Sequence, residues 1–165
     1  MRVSLLGFAT KLSQWVTLSP CEKGWLLLAF MLLGFCRSII LVLPMRFITP
    51  YLGHNFNNIT FCVCPCKKQI KTADRIGRMI RIAANYTFWE STCLIQAMVA
   101  RILLGFYQIP FVFYFGVSKD SDSTLKAHAW VCSGPVFVSG GNGFERYTVT
   151  STFASCKDFY LDRTQ

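Results

Sequence analysis

The apolar positions change period along the chain, and each change marks an element. Residues 25–44, WLLLAFMLLGFCRSIILVLP, are almost continuously apolar. A membrane span needs about 20 such residues. Arg37 and Ser38, however, divide the run into stretches of twelve and six, and a central arginine is costly in a bilayer. The run reads as one or two long helices buried on the rest of the domain. A membrane-surface or partner-docking helix and a true span are the alternatives. Pro44 and the TPYLGHN stretch end this part. Residues 45–66 look irregular. Residues 67–85 return to helical spacing, with Ile70, Ala73, Gly77, Ile80 and Ala84 on one face and Lys67, Lys68, Lys71, Arg75, Arg78 and Arg81 on the other. Residues 91–107 predict a second clear helix, with Leu94, Met98, Ile102 and Gly105 at helical spacing and Ser91 or Thr92 as its N-cap. Past Pro110 the pattern turns aromatic and β-branched. Segments 111–117, 125–131, 136–139 and 147–153 read as strands, joined by a polar hairpin loop at 119–124 and turns at 133–135 and 140–143. Helices followed by an antiparallel sheet make an α+β domain.

Composition narrows the class. The chain has 165 residues, 53 % apolar and 15 % charged, which fits one globular domain over 1–165 and excludes a disordered or low-complexity chain. A hydrophobic helical part, 1–66, precedes a core over 67–165. The formal net charge is +9, which suits an acidic peptide, an anionic membrane or nucleic acid. Nucleic acid fits least, since no aromatic residues interleave with the basic helix face. Eight cysteines raise the question of disulfides. The first twenty residues hold no apolar core of a signal peptide and no A-x-A site, so a reducing cytosolic compartment is expected, with membrane association as an addition. CVCPC at 62–66, with His54 upstream, lacks the second ligand pair of a zinc site and reads as incidental loop thiols.

Cys93 carries the candidate chemistry. It stands in the first turn of the second helix, where free N–H groups and the partial positive charge of the helix favour a thiolate. His128 lies mid-strand in LKAHAWV. A cysteine at a helix start followed by a histidine on a strand is the order of thiol peptidases, with His128 as base and later acid.

Residues 88–117 and 125–153 closely resemble the stand-alone leader peptidases of lasso-peptide biosynthesis, which are transglutaminase-like thiol peptidases. The resemblance rests on the aromatic-Trp before the Cys, the C-L-x-x-A helix, the Pro before the strand, G-V at 116–117 and A-H-A-W-V at 127–131. Residues 25–53 also resemble the hydrophobic N-terminal helices of that family. The resemblance implies a transglutaminase-like, papain-like core, with Cys on a helix N-terminus and His on an antiparallel sheet. It implies a peptidase that removes the leader of a ribosomal precursor peptide without metal or cofactor, Cys93 being the nucleophile and His128 the base. The partners implied are the precursor, a separate PqqD-like leader-binding protein and an asparagine-synthetase-like macrolactam cyclase. Many relatives carry an Asp twelve positions after the His, where this chain has Gly140. Asn142 is the first candidate to orient His128, Glu145 the second and a backbone carbonyl the third. Trp89, Gln96 and Trp130 are candidates to shape the cleft. A transglutaminase-type acyltransferase and a non-enzymatic membrane-associated scaffold are the competing functions.

Overall fold

A computed structural model describes residues 20–56, 63–119 and 124–155. The first nineteen residues, Cys62, Cys156 and most of the expected 119–124 loop lie outside the described residues, as does the side chain of His54. Helix α1, Pro20–Val42, is one continuous helix. Leu26, Ala29, Leu33 and Cys36 recur every three or four residues and are fully or nearly buried, which is the stripe a helix lays on a core. Arg37 does not break the run. It lies off that stripe, and its Nη1 donates to the carbonyl oxygen of Glu90 at 2.6 Å. The residues from Glu22 to Val42 are long and apolar enough to cross a membrane, with mean hydropathy 2.3. Leu27, Met31, Phe35 and Leu41 stand exposed on the face away from the core.

The stretch that looked irregular in sequence carries three short elements. They are α2, Met45–Ile48, a 3-10 turn, Thr49–Tyr51, and β1, His54–Asn55. Two residues are too few for a period to show, which is why β1 escapes a sequence reading. Helix α3, Lys67–Tyr86, buries Ala73, Ile76, Gly77, Met79, Ile80 and Ala83. Its N-cap is Cys66. The backbone N–H of Cys66 donates to Gln69 Oε1 at 2.9 Å, and the Cys66 side chain accepts from the Gln69 N–H. One cysteine of the 62–66 cluster thus serves as a helix cap.

Helix α4, Cys93–Phe106, packs against α1, α3 and the sheet. It therefore buries Ile95, Ala97, Met98, Val99, Ala100, Leu103 and Leu104, more than one stripe. Of the expected stripe, Met98 is buried and Leu94 and Ile102 pack half-buried against the core, while Gly105 faces solvent. Strands β2 (Val112–Lys119), β3 (Leu125–Ser133), β4 (Val136–Ser139) and β5 (Thr148–Ala154) fall close to the expected segments. They form one antiparallel sheet with β1, in the order β1-β5-β2-β3-β4. The architecture is α+β, as expected.

Alternation along the strands divides the sheet's side chains between two clusters. Phe113, Ala129, Val131, Val138 and Phe153 join the helices in the main core. Val112, Tyr114 and Trp130 form a second cluster with Val63, backed by Phe144, Tyr147 and Val149. Gly77 lets α3 approach β4 closely, since a Cβ there would stand 2.7 Å from the carbonyl oxygen of Val138. That approach brings the side of α3 next to the β4 end of the sheet.

Candidate active site

The connection from α3 to α4 is tied down before it reaches Cys93. Thr87 Oγ1 donates to a carbonyl oxygen of Ala84 or Trp89, at 2.8 and 3.0 Å, and lies 2.9 Å from Ser91 Oγ. Arg37 holds Glu90 from the side of α1. The expected hydroxyl cap is corrected here. Thr92 is the N-cap residue, but its side chain makes no capping bond, and the Ser91 hydroxyl is engaged with Thr87. The first-turn N–H groups at Cys93, Leu94 and Ile95 are thus left without a side-chain cap. At a helix start beside the nucleophile, such N–H groups are donors suited to a developing oxyanion. Gln96 supports the turn differently, its Nε2 donating to the Ser91 carbonyl oxygen at 2.9 Å.

Cys93, half-buried, and His128, part-buried, line one open cleft of about 480 Å³. Gln96 lies beside Cys93 on α4. The turn 140–142 forms the wall next to His128, and Arg81 of α3 and Phe137 of β4 complete the lining. A cleft open to solvent suits an extended peptide and admits water.

His128 is held on both its edge and its faces. Its Nε2 lies 2.8 Å from the carbonyl oxygen of Gly140. A carbonyl oxygen only accepts, so Nε2 carries the proton and Nδ1 is the basic nitrogen of the neutral ring. The ring stacks on Tyr147, with centroids 4.8 Å apart, and on Trp130, at 5.7 Å. Gly116 is paired with His128 across the β2–β3 ladder. A Cβ on Gly116 would come within 2.9 Å of both the Trp130 ring and Tyr147 Cβ, so the stack exists only over a glycine.

Gly140 itself has φ +67°. A Cβ there would collide with the Ala129 carbonyl oxygen and stand 2.8 Å from Trp130 Cβ. The position where the resemblance leads one to look for an Asp has no room for any side chain on this backbone. The left-handed conformation instead turns the main-chain carbonyl toward the imidazole.

The structure brings some of the expected residues together and leaves others apart. Cys93, His128, Gln96 and Asn142 share the cleft. The imidazole's hydrogen bond goes to the Gly140 carbonyl and to neither Asn142 nor Glu145. Asn142 is exposed on the cleft wall, and Glu145 is exposed on the 3-10 turn Phe144–Arg146. Trp130 shares a strand face with His128 and backs the imidazole. Trp89 packs on α1 instead, against the Phe30 ring at 5.4 Å and over Gly34. Tyr147, Gly116 and Arg81 were not singled out as site residues in the sequence. The only available signal for Gly116 was the G-V pair at the end of its strand.

Among the described residues, no three His, Cys, Asp or Glu side chains gather as a metal site. Cys36, Cys64, Cys66 and Cys93 are in no disulfide. Burial pushes the Cys36 thiol up to about 11, so it is no rival nucleophile.

No curated protein and no solved structure matches the chain significantly. The profile of the transglutaminase-like superfamily matches residues 39–152. That span holds Cys93, His128 and the Gly140 turn, and thiol chemistry on acyl groups, as peptidase or acyltransferase, is what the superfamily typically performs. With well over half of its length matched, the chain belongs to the transglutaminase-like superfamily.

Proposed function

We propose that this protein is a cysteine peptidase that removes the leader from a ribosomally made precursor peptide in lasso-peptide biosynthesis. The observation that carries the reading is one cleft lined by a helix-N-terminal cysteine and a histidine whose Nε2 is bonded to a carbonyl. The close resemblance of residues 88–153 to stand-alone leader peptidases supplies the substrate class.

The thiol proton of Cys93 passes to His128 Nδ1, and the thiolate attacks the carbonyl carbon of the last leader residue. First-turn N–H groups of α4 stabilise the oxyanion. His128 protonates the departing amine, the new N-terminus of the core peptide. Water then attacks the thioester with His128 as base, releasing the leader acid and the free thiol. Gly140, Trp130 and Tyr147 hold the imidazole. The leader arrives bound to a separate PqqD-like protein, and the freed core passes to the asparagine-synthetase-like cyclase. The reaction runs in the cytoplasm, where free thiols persist, and the exposed face of α1 suits contact with a membrane surface.

Acyl transfer is the second reading, favoured by the superfamily match, since an amine can replace water at the thioester. Mass spectrometry of the cognate precursor tests both. One cut, made by the wild type with the leader-binding partner present and lost in Cys93→Ala and His128→Ala, is the expected result. A gain of an amine's mass without loss of the leader would replace hydrolysis by transfer. An unchanged precursor under every condition, with the protein folded, would overturn the enzymatic reading.

A further inference from the structure

Among the described residues, Arg81 is the one on the cleft wall that carries a fixed charge. It projects from the side of α3 that meets β4. A Cβ on Gly77 would stand 3.3 Å from its Nη1, so the guanidinium lies back over a glycine, in space that any other residue would take. The contrast with its neighbour is informative. Arg78, one turn earlier, pairs with Asp74 at 3.4 Å. Among the described residues, no carboxylate stands within ion-pair distance of Arg81. An arginine fork matches a carboxylate in shape and charge, and can bind it through two parallel hydrogen bonds. Arg81 is exposed on the wall of this open cleft, so its attraction for a carboxylate is that of a solvent-facing charge and falls with added salt.

We infer that Arg81 is a substrate-binding residue that receives an acidic side chain of the peptide, placed close to the bond that Cys93 attacks. The inference rests on Cys93 being the nucleophile of this cleft, and it names the class of peptide the site takes: one with Asp or Glu beside the cleaved bond. The rest of the α3 face points the same way. Lys71, Arg75 and Arg78 follow Arg81 back along the exposed side of the helix, and a peptide entering over that ridge meets positive charge before it meets the sulfur.

Two alkylating agents of similar size test this without a known substrate. Iodoacetate carries a carboxylate and iodoacetamide a neutral amide, and both lose iodide to the same thiolate. The quantity read is the ratio of their rate constants at Cys93, obtained by peptide mapping. The exposed Cys64 and Cys66 give the control ratio in the same molecule. Arg81→Gln should lower the Cys93 ratio about tenfold and leave the control ratio unchanged. Arg81→Lys should keep most of it, and added salt should lower the wild-type ratio toward that of Arg81→Gln. A Cys93 ratio equal in wild type and Arg81→Gln overturns the inference.

Peptide mixtures with each position fixed as Asp, Glu, Asn, Gln, Lys or Arg extend the test to cleavage. Acidic mixtures should be preferred at one position by the wild type, and Arg81→Glu should transfer the preference to Lys and Arg. A preference that survives Arg81→Gln would overturn the inference with the peptidase reading intact. Absence of all cleavage would count against the peptidase, while the alkylation ratio still decides the role of Arg81.

Discussion

Replacing Gly140 by aspartate should disable this site. The left-handed φ of +67° costs a non-glycine residue about 1–2 kcal/mol. The new Cβ would collide with the Ala129 carbonyl oxygen and with Trp130 Cβ at 2.8 Å. Both contacts are with backbone or the stem of a side chain, so the turn itself must shift, at about 1–3 kcal/mol. A total of about 3 kcal/mol corresponds to a drop in Tm of roughly 6–12 °C for a chain of this length. The functional loss is separate. Once the turn shifts, the Gly140 carbonyl no longer holds Nε2 at 2.8 Å, and the imidazole is free to adopt the wrong tautomer. Removing the orienting group of a catalytic triad lowers kcat about 10⁴-fold; a carbonyl, which carries no full charge, should be worth about 10²–10³-fold. The assay is precursor cleavage well below the variant's Tm, with the pH profile of Cys93 alkylation beside it. Gly140→Ala should match Gly140→Asp in both, because the obstruction begins at Cβ. A Gly140→Asp protein that melts with the wild type and cleaves at its rate would refute the reasoning, since the carboxylate would then have found the room denied to it here.

Three further outcomes are expected. Asn142→Ala and Glu145→Ala should each change cleavage less than about threefold, because neither side chain bonds the imidazole; a loss above about 10²-fold in either would return that residue to the triad. Gly116→Ala should destabilise the fold by about 1–3 kcal/mol and slow Cys93 alkylation, as its Cβ drives into Trp130 and Tyr147 beneath His128; an unchanged melting curve would contradict the stack. Cys36 has a thiol held near 11 by burial against an ordinary value of 9.0. The unfolded chain therefore loses that proton first, and stability present below about pH 9 is lost as pH rises toward 11. At about 1.4 kcal/mol per unit, the loss is about 2–3 kcal/mol. Denaturant titrations of wild type and Cys36→Val should diverge over that window, with the variant showing the flatter curve; parallel curves would show that Cys36 does not titrate on unfolding.

What was legible in the sequence follows the range of the forces involved. Strong periods gave α3 and the four longer strands to within about two residues, because a stripe of apolar positions reports burial directly, and the apolar run with its flanking Pro110 bounded α4 as closely. Where burial is not one-sided, the period tells less. Helix α4 is packed on three sides, so a single stripe through Leu94, Met98 and Ile102 understates what it buries. Arg37 looked like a break because a charge in an apolar run is costly when isolated, yet here it meets a carbonyl 53 residues away.

The site divides along the same line. Cys93 and His128 were legible as residue types in an order that thiol chemistry requires. The hydrogen-bond partner of His128 was ranked last, because a search for a third side chain looks for Asp, Asn or Glu first, and the partner is a peptide carbonyl. Its only trace in the sequence is a glycine, which signals a backbone conformation and not a functional group. Yet the same absence of a side chain recurs around this cleft. Gly140 aims a carbonyl at the imidazole, Gly116 makes room for the rings behind it, and Gly77 makes room for Arg81 and draws α3 onto β4. Three positions that read as turn or spacing residues thus set where the base, its support and the guanidinium stand. Substituting these glycines should therefore impair the site more than removing Asn142 or Glu145, although those two bear the polar groups that a sequence reader reaches for first.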